Sequence, residues 1–359
     1  MEKIRGSVTI SMRATLCATI CLIVNTAVGF SKEPVSPVNK AQQPKLVVQL
    51  KQVNKVASVA FSPDGRLLAT SGEDIKFWDT ATGKLRRTLK GDGKIIRAIA
   101  FSPDGKTLAV ANLTEPKPDH YTSEVTLRDA VTGELQKELE TSELVSWLRF
   151  SEDGAVLAGN YFNGATSSQG PVMIWQTKTG KLRRTFPAIY AFALSPAGQT
   201  MAVSDMRKGL LLLDTRSSKL LRNLKKDDWI TSGITISPDG KIVAGVSSVV
   251  ESNNKSVPAA TLWNVSTGKA LQELKGRSNF LASWASFSSD GKKLIASAGD
   301  FWMAEHSRGK GELIMWDVAS GRLLWTHPTN DVAALTYSLN KDLLAFITKN
   351  DAVEIWRFK

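Results

Sequence analysis

Apolar residues occur along this chain in short runs that are separated by turns rich in Ser, Pro, Asp and Gly. Runs such as 210–213 and 343–346 are apolar at every position, whereas a strand with one solvent-exposed face alternates apolar and polar residues. The pattern therefore predicts short β-strands in sheets that are covered on both faces. In the first full unit the predicted strands cover residues 56–61, 67–70, 75–78 and 84–89.

One turn phrase is repeated along the chain. Phe61-Ser62-Pro63-Asp64-Gly65 returns, intact or altered, at intervals of 40 to 51 residues, with copies that begin at Phe101, Phe150, Leu194, Ile236, Phe287 and Tyr337. Proline presets φ in such a turn, and glycine supplies the position with positive φ. A period of this length predicts an array of one small antiparallel unit rather than unrelated domains.

A second phrase ends each predicted third strand. Its copies are Trp78-Asp79, Arg128-Asp129, Trp175-Gln176, Leu213-Asp214, Trp263-Asn264, Trp316-Asp317 and Trp356-Arg357. A turn of the Thr-Gly-Lys type follows most of them. With both phrases in register, the chain from residue 45 to 359 resembles the WD-repeat (Trp-Asp repeat) β-propeller family. The resemblance implies an all-β, seven-bladed β-propeller with the tryptophans in the blade cores.

The two ends of the repeat region predict how the ring closes. The seventh unit has no outer strand of its own, and the segment 45–50 precedes the first inner strand without belonging to a blade. We expect this segment to complete the last blade, as it does in members of the family. Such pairing removes an open sheet edge.

The chain departs from the family pattern in one respect. Members often carry a Gly-His pair that joins a hydrogen-bond network within the blade, but none of the histidines here follows a glycine. Only partial remnants of the network are present, at Ser71, Asp74 and Trp78. We therefore expect apolar packing to hold the blades together, and the altered phrases Leu213-Asp214 and Ser217-Ser218 bring the regularity of blade four into question.

The N-terminal region predicts export. Basic residues precede an apolar stretch, and residues 1–29 are interpreted as a signal peptide, with an uncleaved membrane anchor as the alternative. Cys17 and Cys21 both lie inside it. Residues 30–44, rich in Pro, Lys, Ser and Gln, are expected to be a flexible linker. We expect an exported, bacterial-type protein that is periplasmic, secreted or associated with the cell envelope, and membrane contact only if residues 1–29 stay attached.

Insertions predict a recognition surface on one face. Four of the connections between second and third strands are long, at 112–123, 159–170, 247–258 and 299–311. Insertions confined to one face of a repeat array often form a binding surface for proteins or peptides. The candidate contact residues there and on the neighbouring connections are Tyr121, Tyr161, Phe162, Trp229, Phe301, Trp302, Glu305 and Arg308. The alternative is that these loops are tolerated decoration whose aromatic residues pack on the ring.

The net charge of +12 suggests acidic partners. Basic residues recur on the predicted outer strands, and Arg86, Arg183 and Arg222 represent a basic rim. One interpretation is binding to an anionic envelope polymer or a membrane surface. The other is protection of exposed strands against edge-to-edge association. No stripe of aromatic and basic residues points to nucleic acid, so none is expected as a partner.

The sequence offers little for catalysis. The three histidines show no metal-ligand spacing, and neither a Gly-x-Ser-x-Gly elbow nor a phosphate-binding loop is present. We expect a non-catalytic interaction scaffold without metal or cofactor. The alternative enzyme would be a propeller of the hydrolase or lactonase type.

Overall fold

A computed structural model describes most of the repeat region. The described residues are 44–50, 56–114, 122–141, 143–163, 168–187, 191–205, 208–225, 231–247, 258–275, 281–299, 311–329, 332–338, 342–348 and 352–358. Every regular element among them is a β-strand. The strands form seven four-stranded antiparallel sheets, which are the blades of a propeller, and one additional two-stranded hairpin.

The blades are numbered along the chain, and each is given from its inner to its outer strand. Blade one contains β2 (Ser58–Phe61), β3 (Leu67–Ser71), β4 (Ile75–Asp79) and β5 (Leu85–Leu89). Blade two contains β6 (Ile96–Phe101), β7 (Thr107–Leu113), β8 (Ser123–Asp129) and β9 (Leu135–Leu139). Blade three contains β10 (Trp147–Phe150), β11 (Val156–Asn160), β14 (Val172–Gln176) and β15 (Leu182–Phe186), with the hairpin β12 (Phe162–Asn163) and β13 (Ser168–Gln169) inserted.

Blade four contains β16 (Ala191–Leu194), β17 (Thr200–Asp205), β18 (Gly209–Asp214) and β19 (Leu220–Lys225). Blade five contains β20 (Thr231–Ile236), β21 (Ile242–Ser247), β22 (Pro258–Asn264) and β23 (Ala270–Lys275). Blade six contains β24 (Leu281–Phe287), β25 (Lys293–Gly299), β26 (Gly311–Asp317) and β27 (Leu323–Thr329). Blade seven contains β28 (Val332–Ser338), β29 (Leu343–Thr348), β30 (Val353–Arg357) and, as its outer strand, β1 (Lys45–Leu50).

The closing strand predicted from the sequence is confirmed. β1 pairs antiparallel with β30, with Leu46 opposite Trp356 and Leu50 opposite Val353. Leu50 is buried, whereas Leu46 is 47% exposed. A register shift between Leu46 and Val48 reverses the alternation, so Leu50 adds to the core while Leu46 faces outward.

The core is divided among the seams between blades. Seven clusters of buried apolar residues are present, and each combines residues of two neighbouring blades. The cluster that joins blade seven to blade one contains Leu50, Ile355 and Phe61. Apolar burial therefore continues around the whole ring, which explains why both faces of each sheet are apolar in sequence.

The tryptophans that end the third strands occupy these seams. Trp175 and Trp316 are completely buried, Trp78 and Trp263 are nearly so, and Trp356 is half-buried. Each packs against the preceding blade. The expected hydrogen-bond network is reduced, because the Trp78 indole donates to Thr70 Oγ1 at 3.0 Å while the buried Ser71 hydroxyl has no partner. Apolar packing is thus the dominant contact at this seam.

Blade four keeps the common architecture in spite of its altered phrases. Its four strands pair in the same order as in the other blades. Ser218 replaces the glycine of the last turn and adopts φ +59°. Asp214 accepts hydrogen bonds from the Ser217 backbone N–H at 2.6 Å and hydroxyl at 2.7 Å, which holds the turn without glycine.

Candidate functional site

The antiparallel order of strands gives the ring two different faces. We call the face with the Ser-Pro-Asp-Gly turns the turn face. The turns that join third to fourth strands lie on the same face, and Thr80 Oγ1 donates to Gly65 O at 2.7 Å between the two kinds of turn. The connections from second to third strands and from one blade to the next lie on the other side, which we call the loop face. The described strand ends on either side of the predicted insertions therefore lie on one face.

The turns of the turn face satisfy their own polar groups. In blade one the Ser62 hydroxyl donates to Asp64 Oδ1 at 2.6 Å, Asp64 Oδ1 also accepts the Arg66 N–H at 3.0 Å, and Gly65 adopts φ +65°. The same serine–aspartate bond recurs at Ser102–Asp104, Ser151–Asp153, Ser237–Asp239 and Ser288–Asp290. These side chains are committed to local structure, which leaves them little capacity to bind a partner.

The turn between the third and fourth strands of blade one binds Arg86, one of the predicted rim arginines. Asp79 Oδ1 accepts hydrogen bonds from the Thr82 N–H and hydroxyl, both at 2.8 Å, and Arg86 forms an ion pair with Asp79 Oδ2 at 2.7 Å. The Arg86 hydrogen bond, followed by those of Thr82, holds the pKa of the Asp79 carboxyl far below its ordinary value of 3.8. Arg86 is therefore part of a turn.

The other rim arginines differ from one another. Arg222 extends to the next blade and donates to Ser266 O from Nε at 3.2 Å and from an η-nitrogen at 3.0 Å. Arg184 donates to Arg216 O in the same manner at 3.1 Å, across the seam between blades three and four. Its neighbour Arg183 is exposed and has no hydrogen bond or ion pair with any described residue.

These contacts between blades define a repeated clasp. The clasp residues, which connect an outer strand to a turn of the next blade, are Arg87, Lys137, Arg184 and Arg222. Arg87 also lies over the Phe77 ring, with its guanidinium carbon 3.8 Å from the ring centre, and burial lowers its pKa. Basic residues on the outer strands thus stabilise the seams, a role that the sequence interpretation missed.

The predicted contact residues of the loop face are only partly described. Tyr161 is half-buried where β11 leads into the inserted hairpin, and Phe162 lies in β12, where only the backbone is described. The remaining candidates lie outside the described residues; they are Tyr121, Trp229, Phe301, Trp302, Glu305 and Arg308. That these residues form one contact surface therefore stays a prediction.

The inserted hairpin of blade three has a defined base. The Gly170 N–H donates to Tyr161 O at 2.9 Å, and Phe162 pairs with Gln169. A Cβ atom on Gly170 would lie only 3.0 Å from the Tyr161 Cβ, so glycine permits the close approach. The ladder between β11 and β14 thus continues onto the loop face as a short β-hairpin that starts at Tyr161.

The insertion of blade two is held at its base as well. The Thr114 N–H donates to Thr122 O at 3.1 Å, and the two threonine hydroxyls are 2.7 Å apart. The chain is therefore paired on both sides of 115–121, which lies outside the described residues.

Two tryptophans meet at the centre of the ring. Trp147 on β10 and Trp284 on β24 have ring centres 6.5 Å apart, and Trp147 also contacts Phe192 edge-to-face at 4.8 Å. Because blades three and six are not neighbours, these inner strands can touch only across the central channel. Both side chains are half-buried. We call them the axial pair.

The sequence contained a signal for the axial pair that the sequence interpretation did not use. Counting back four residues from the turn serine gives the equivalent inner-strand position in every blade. The other blades have small residues there, namely Ser58, Ala98, Ala191, Gly233 and Ala334. Small residues are expected where seven inner strands converge, so two tryptophans at this position indicate that the channel is filled at this level.

The next feature is the placement of the metal-ligating residue types and of the histidines. They contain no group of three or more His, Cys, Asp or Glu side chains placed to hold a metal ion. His120 and His306 lie outside the described residues, and His327 stacks on Trp325 with ring centres 5.4 Å apart. Burial lowers the His327 pKa below 6.5. Among the described residues, no helix has the length and apolar character needed to cross a membrane.

Comparison with known proteins finds a family match at the start of the repeat region. The model of the WD domain, G-beta repeat, matches residues 45–79 and 83–113, which contain β1 to β7. No curated protein matches the chain significantly. The fold defines a seven-bladed β-propeller, and the matched repeats together with that fold support a WD-repeat propeller. Propellers of this kind commonly serve as protein-interaction scaffolds and are generally not enzymes.

Proposed function

We propose that this protein is an exported, non-catalytic binding platform that recognises a protein or peptide through its loop face. The observation that carries the proposal is the axial pair, Trp147 and Trp284, which places two half-buried aromatic rings at the centre of the ring. Aromatic side chains in partly enclosed positions are the commonest energetic centres of protein interfaces. The paired stems that lead into the insertions of blades two and three lie on this face.

The contrast with the turn face supports the loop face as the binding surface. Turn-face aspartates and serines are hydrogen-bonded within their own turns, so a partner would have to displace existing contacts. On the loop face, we propose that Tyr161, Phe162, Phe301 and Trp302 add apolar contact area around the axial pair, with Tyr121 and Trp229 beside them. Glu305 and Arg308 would supply charged contacts at the edge, where they favour one partner over another.

Capture of partners from cell-envelope extract tests the proposal. The full chain is compared with a variant in which the four insertions are shortened to the length of the blade-one connection. We expect the shortened variant to lose the proteins captured by the parent while keeping its unfolding midpoint. Equal recovery of the same proteins by both would contradict recognition by this face.

The export part of the proposal has its own measurement. We propose that residues 1–29 are removed and that the propeller acts in the periplasm, outside the cell or at the envelope. Mass spectrometry of the protein from native cells should then find a mature N-terminus close to residue 30. Recovery of the intact N-terminus in a membrane fraction would favour the anchor instead.

A second proposal is an anionic envelope polymer or membrane surface bound at the basic rim, and it makes a different prediction. Arg183 favours it, because this exposed arginine has no partner among the described residues. Binding through the rim should weaken steeply with salt and with Arg183→Ser. Capture that is insensitive to both would exclude the rim.

A further inference from the structure

An arginine lies in the inner strand of blade three at a position that is small in every other blade. Arg149 is two residues before the turn serine, and the equivalent residues are Ala60, Ala100, Ala193, Thr235, Ser286 and Thr336. Because side chains alternate along a strand, Arg149 is on the same side of β10 as Trp147, one layer nearer the turn face. Arg149 therefore places one guanidinium where the other inner strands carry small or hydroxyl side chains.

The charge of Arg149 is poorly compensated. Its side chain is half-buried, and within the part of the chain that the structure describes it has no hydrogen-bond or ion-pair partner. Burial lowers its pKa, and the one charge that opposes this effect is Glu152. Enclosing a guanidinium without a hydrogen-bonded anion is unfavourable, so this layer is suited to an added negative group.

The surroundings define the chemistry and the direction of entry. The axial pair of Trp147 and Trp284 fills the next layer toward the loop face, so access to Arg149 is from the turn face. Glu152 occupies the turn position that is proline in most blades, and it is exposed there. Thr336, half-buried at the equivalent position of blade seven, is a potential hydroxyl donor, and Ser286 of blade six becomes one on giving up its 3.3 Å hydrogen bond to Phe287 O.

We propose that this layer of the channel binds the oxyanion of a small ligand, a carboxylate or phosphate group, with Arg149 as its principal contact. A guanidinium presents two parallel N–H groups that match two oxygens of either group. Hydroxyls of the same layer can donate further hydrogen bonds. This site is separate from the loop face, and a ligand there would reach the channel from the opposite side of the axial pair.

Titration calorimetry of the full chain with inorganic phosphate and with succinate, at constant ionic strength, tests the proposal. We expect saturable binding of at least one of them, and their relative affinities assign the site to phosphate or carboxylate. Arg149→Met should weaken binding by about tenfold or more, and Arg149→Lys by less, because a lysine keeps the charge but loses the paired geometry. Arg97→Met, at an exposed arginine of inner strand β6, is the matched control and should bind as the parent does.

Two further results decide between a binding role and a structural role. Without ligand, Arg149→Met should unfold at the same temperature as the parent or higher, because it removes an uncompensated charge. Glu152→Gln should bind the anion more tightly, because the competing carboxylate charge is gone. Absence of saturable binding to the parent, unchanged affinity in Arg149→Met, or a marked loss of stability in Arg149→Met would each overturn the proposal.

Discussion

The turn face and the loop face are joined by the same strands, yet they use their polar residues in opposite ways. On the turn face nearly the same turn is repeated around the ring, and Ser62, Asp64 and Asp79 bond within their own loops. On the loop face the connections differ from blade to blade, from the short link 72–74 to the hairpin that starts at Tyr161. A face that repeats is constrained by folding, whereas a face that varies can be specialised for a partner.

The largest loss of stability is expected at β1, because this strand closes the ring that carries both faces. Leu50→Asp would place a charge in the seam between blades seven and one, where Leu50 is 4% exposed. We expect a loss of about 4 kcal/mol in the free energy of unfolding, measured by chemical denaturation. Leu46→Asp, on the outward side of the same strand at 47% exposure, is the control and should cost less than about 1 kcal/mol. Similar losses for both variants would contradict closure by β1.

The turn face should be sensitive to added volume in a position-dependent way. Gly198 and Gly291 occupy equivalent turns and have φ of +62° and +69°. An added Cβ on Gly198 would lie 2.8 Å from the Ser151 Cβ of the neighbouring blade, whereas on Gly291 the nearest atom, in Pro238, is 3.6 Å away. Gly291→Ala should therefore cost about 1 kcal/mol from backbone strain alone, and Gly198→Ala about 2 kcal/mol more. Equal unfolding midpoints would show that the turns are not packed against each other in this way.

Adjacent arginines separate the clasps from the basic rim. Arg184→Met removes the hydrogen bond to Arg216 O and should lower the unfolding free energy by about 1 kcal/mol. Arg183→Met removes an exposed side chain without a described partner and should change it by less than about 0.5 kcal/mol. Denaturant titration of both variants at one salt concentration is sufficient. A larger loss for Arg183→Met would contradict the assignment.

A fall in pH should destabilise the contacts of His327, on the outer strand of blade six, before it destabilises the turns of the turn face. Burial holds the His327 pKa below the ordinary 6.5, so the stability associated with neutral His327 is present above that pH and is lost as pH falls from 6.5 toward the folded pKa. Hydrogen bonds hold the pKa values of Asp104 and Asp317 below 3.8, so their contribution is lost only in more acidic solution. Unfolding midpoints measured from pH 7 to 3 should show a loss of stability that begins near pH 6.5. The variant His327→Gln should not show this loss. A profile that is unchanged in His327→Gln would contradict the assignment.

Most of the architecture could be predicted from the sequence because it depends on local signals that repeat. Pro63 and Gly65 specify a turn by their own backbone preferences, and seven registered copies fix the number of blades. The closing role of 45–50 followed from an unpaired first segment and an incomplete last blade. Blade four, whose altered phrases brought its regularity into question, follows the pattern because Ser218 tolerates positive φ.

The remaining features depend on contacts between distant residues. Arg183 and Arg184 are adjacent residues of the same type, and only the position of the next blade decides that Arg184 reaches a backbone carbonyl. Trp147 and Trp284 belong to blades that are not neighbours in the chain, so their meeting depends on the width of the channel. The inner-strand alignment contained the hint, because both positions are small elsewhere in the ring.

Partner capture by two matched variants tests the central claim most directly. One variant, Trp147→Ala with Trp284→Ala, alters the axis of the loop face; the other changes the exposed turn-face residues Lys106, Lys241 and Lys292 to Glu. Both are checked for folding by circular dichroism before capture from envelope extract is quantified. We predict that the tryptophan variant loses the captured partner and that the lysine variant retains it. Retention by the tryptophan variant, with loss by the lysine variant, would place recognition on the turn face and contradict the account.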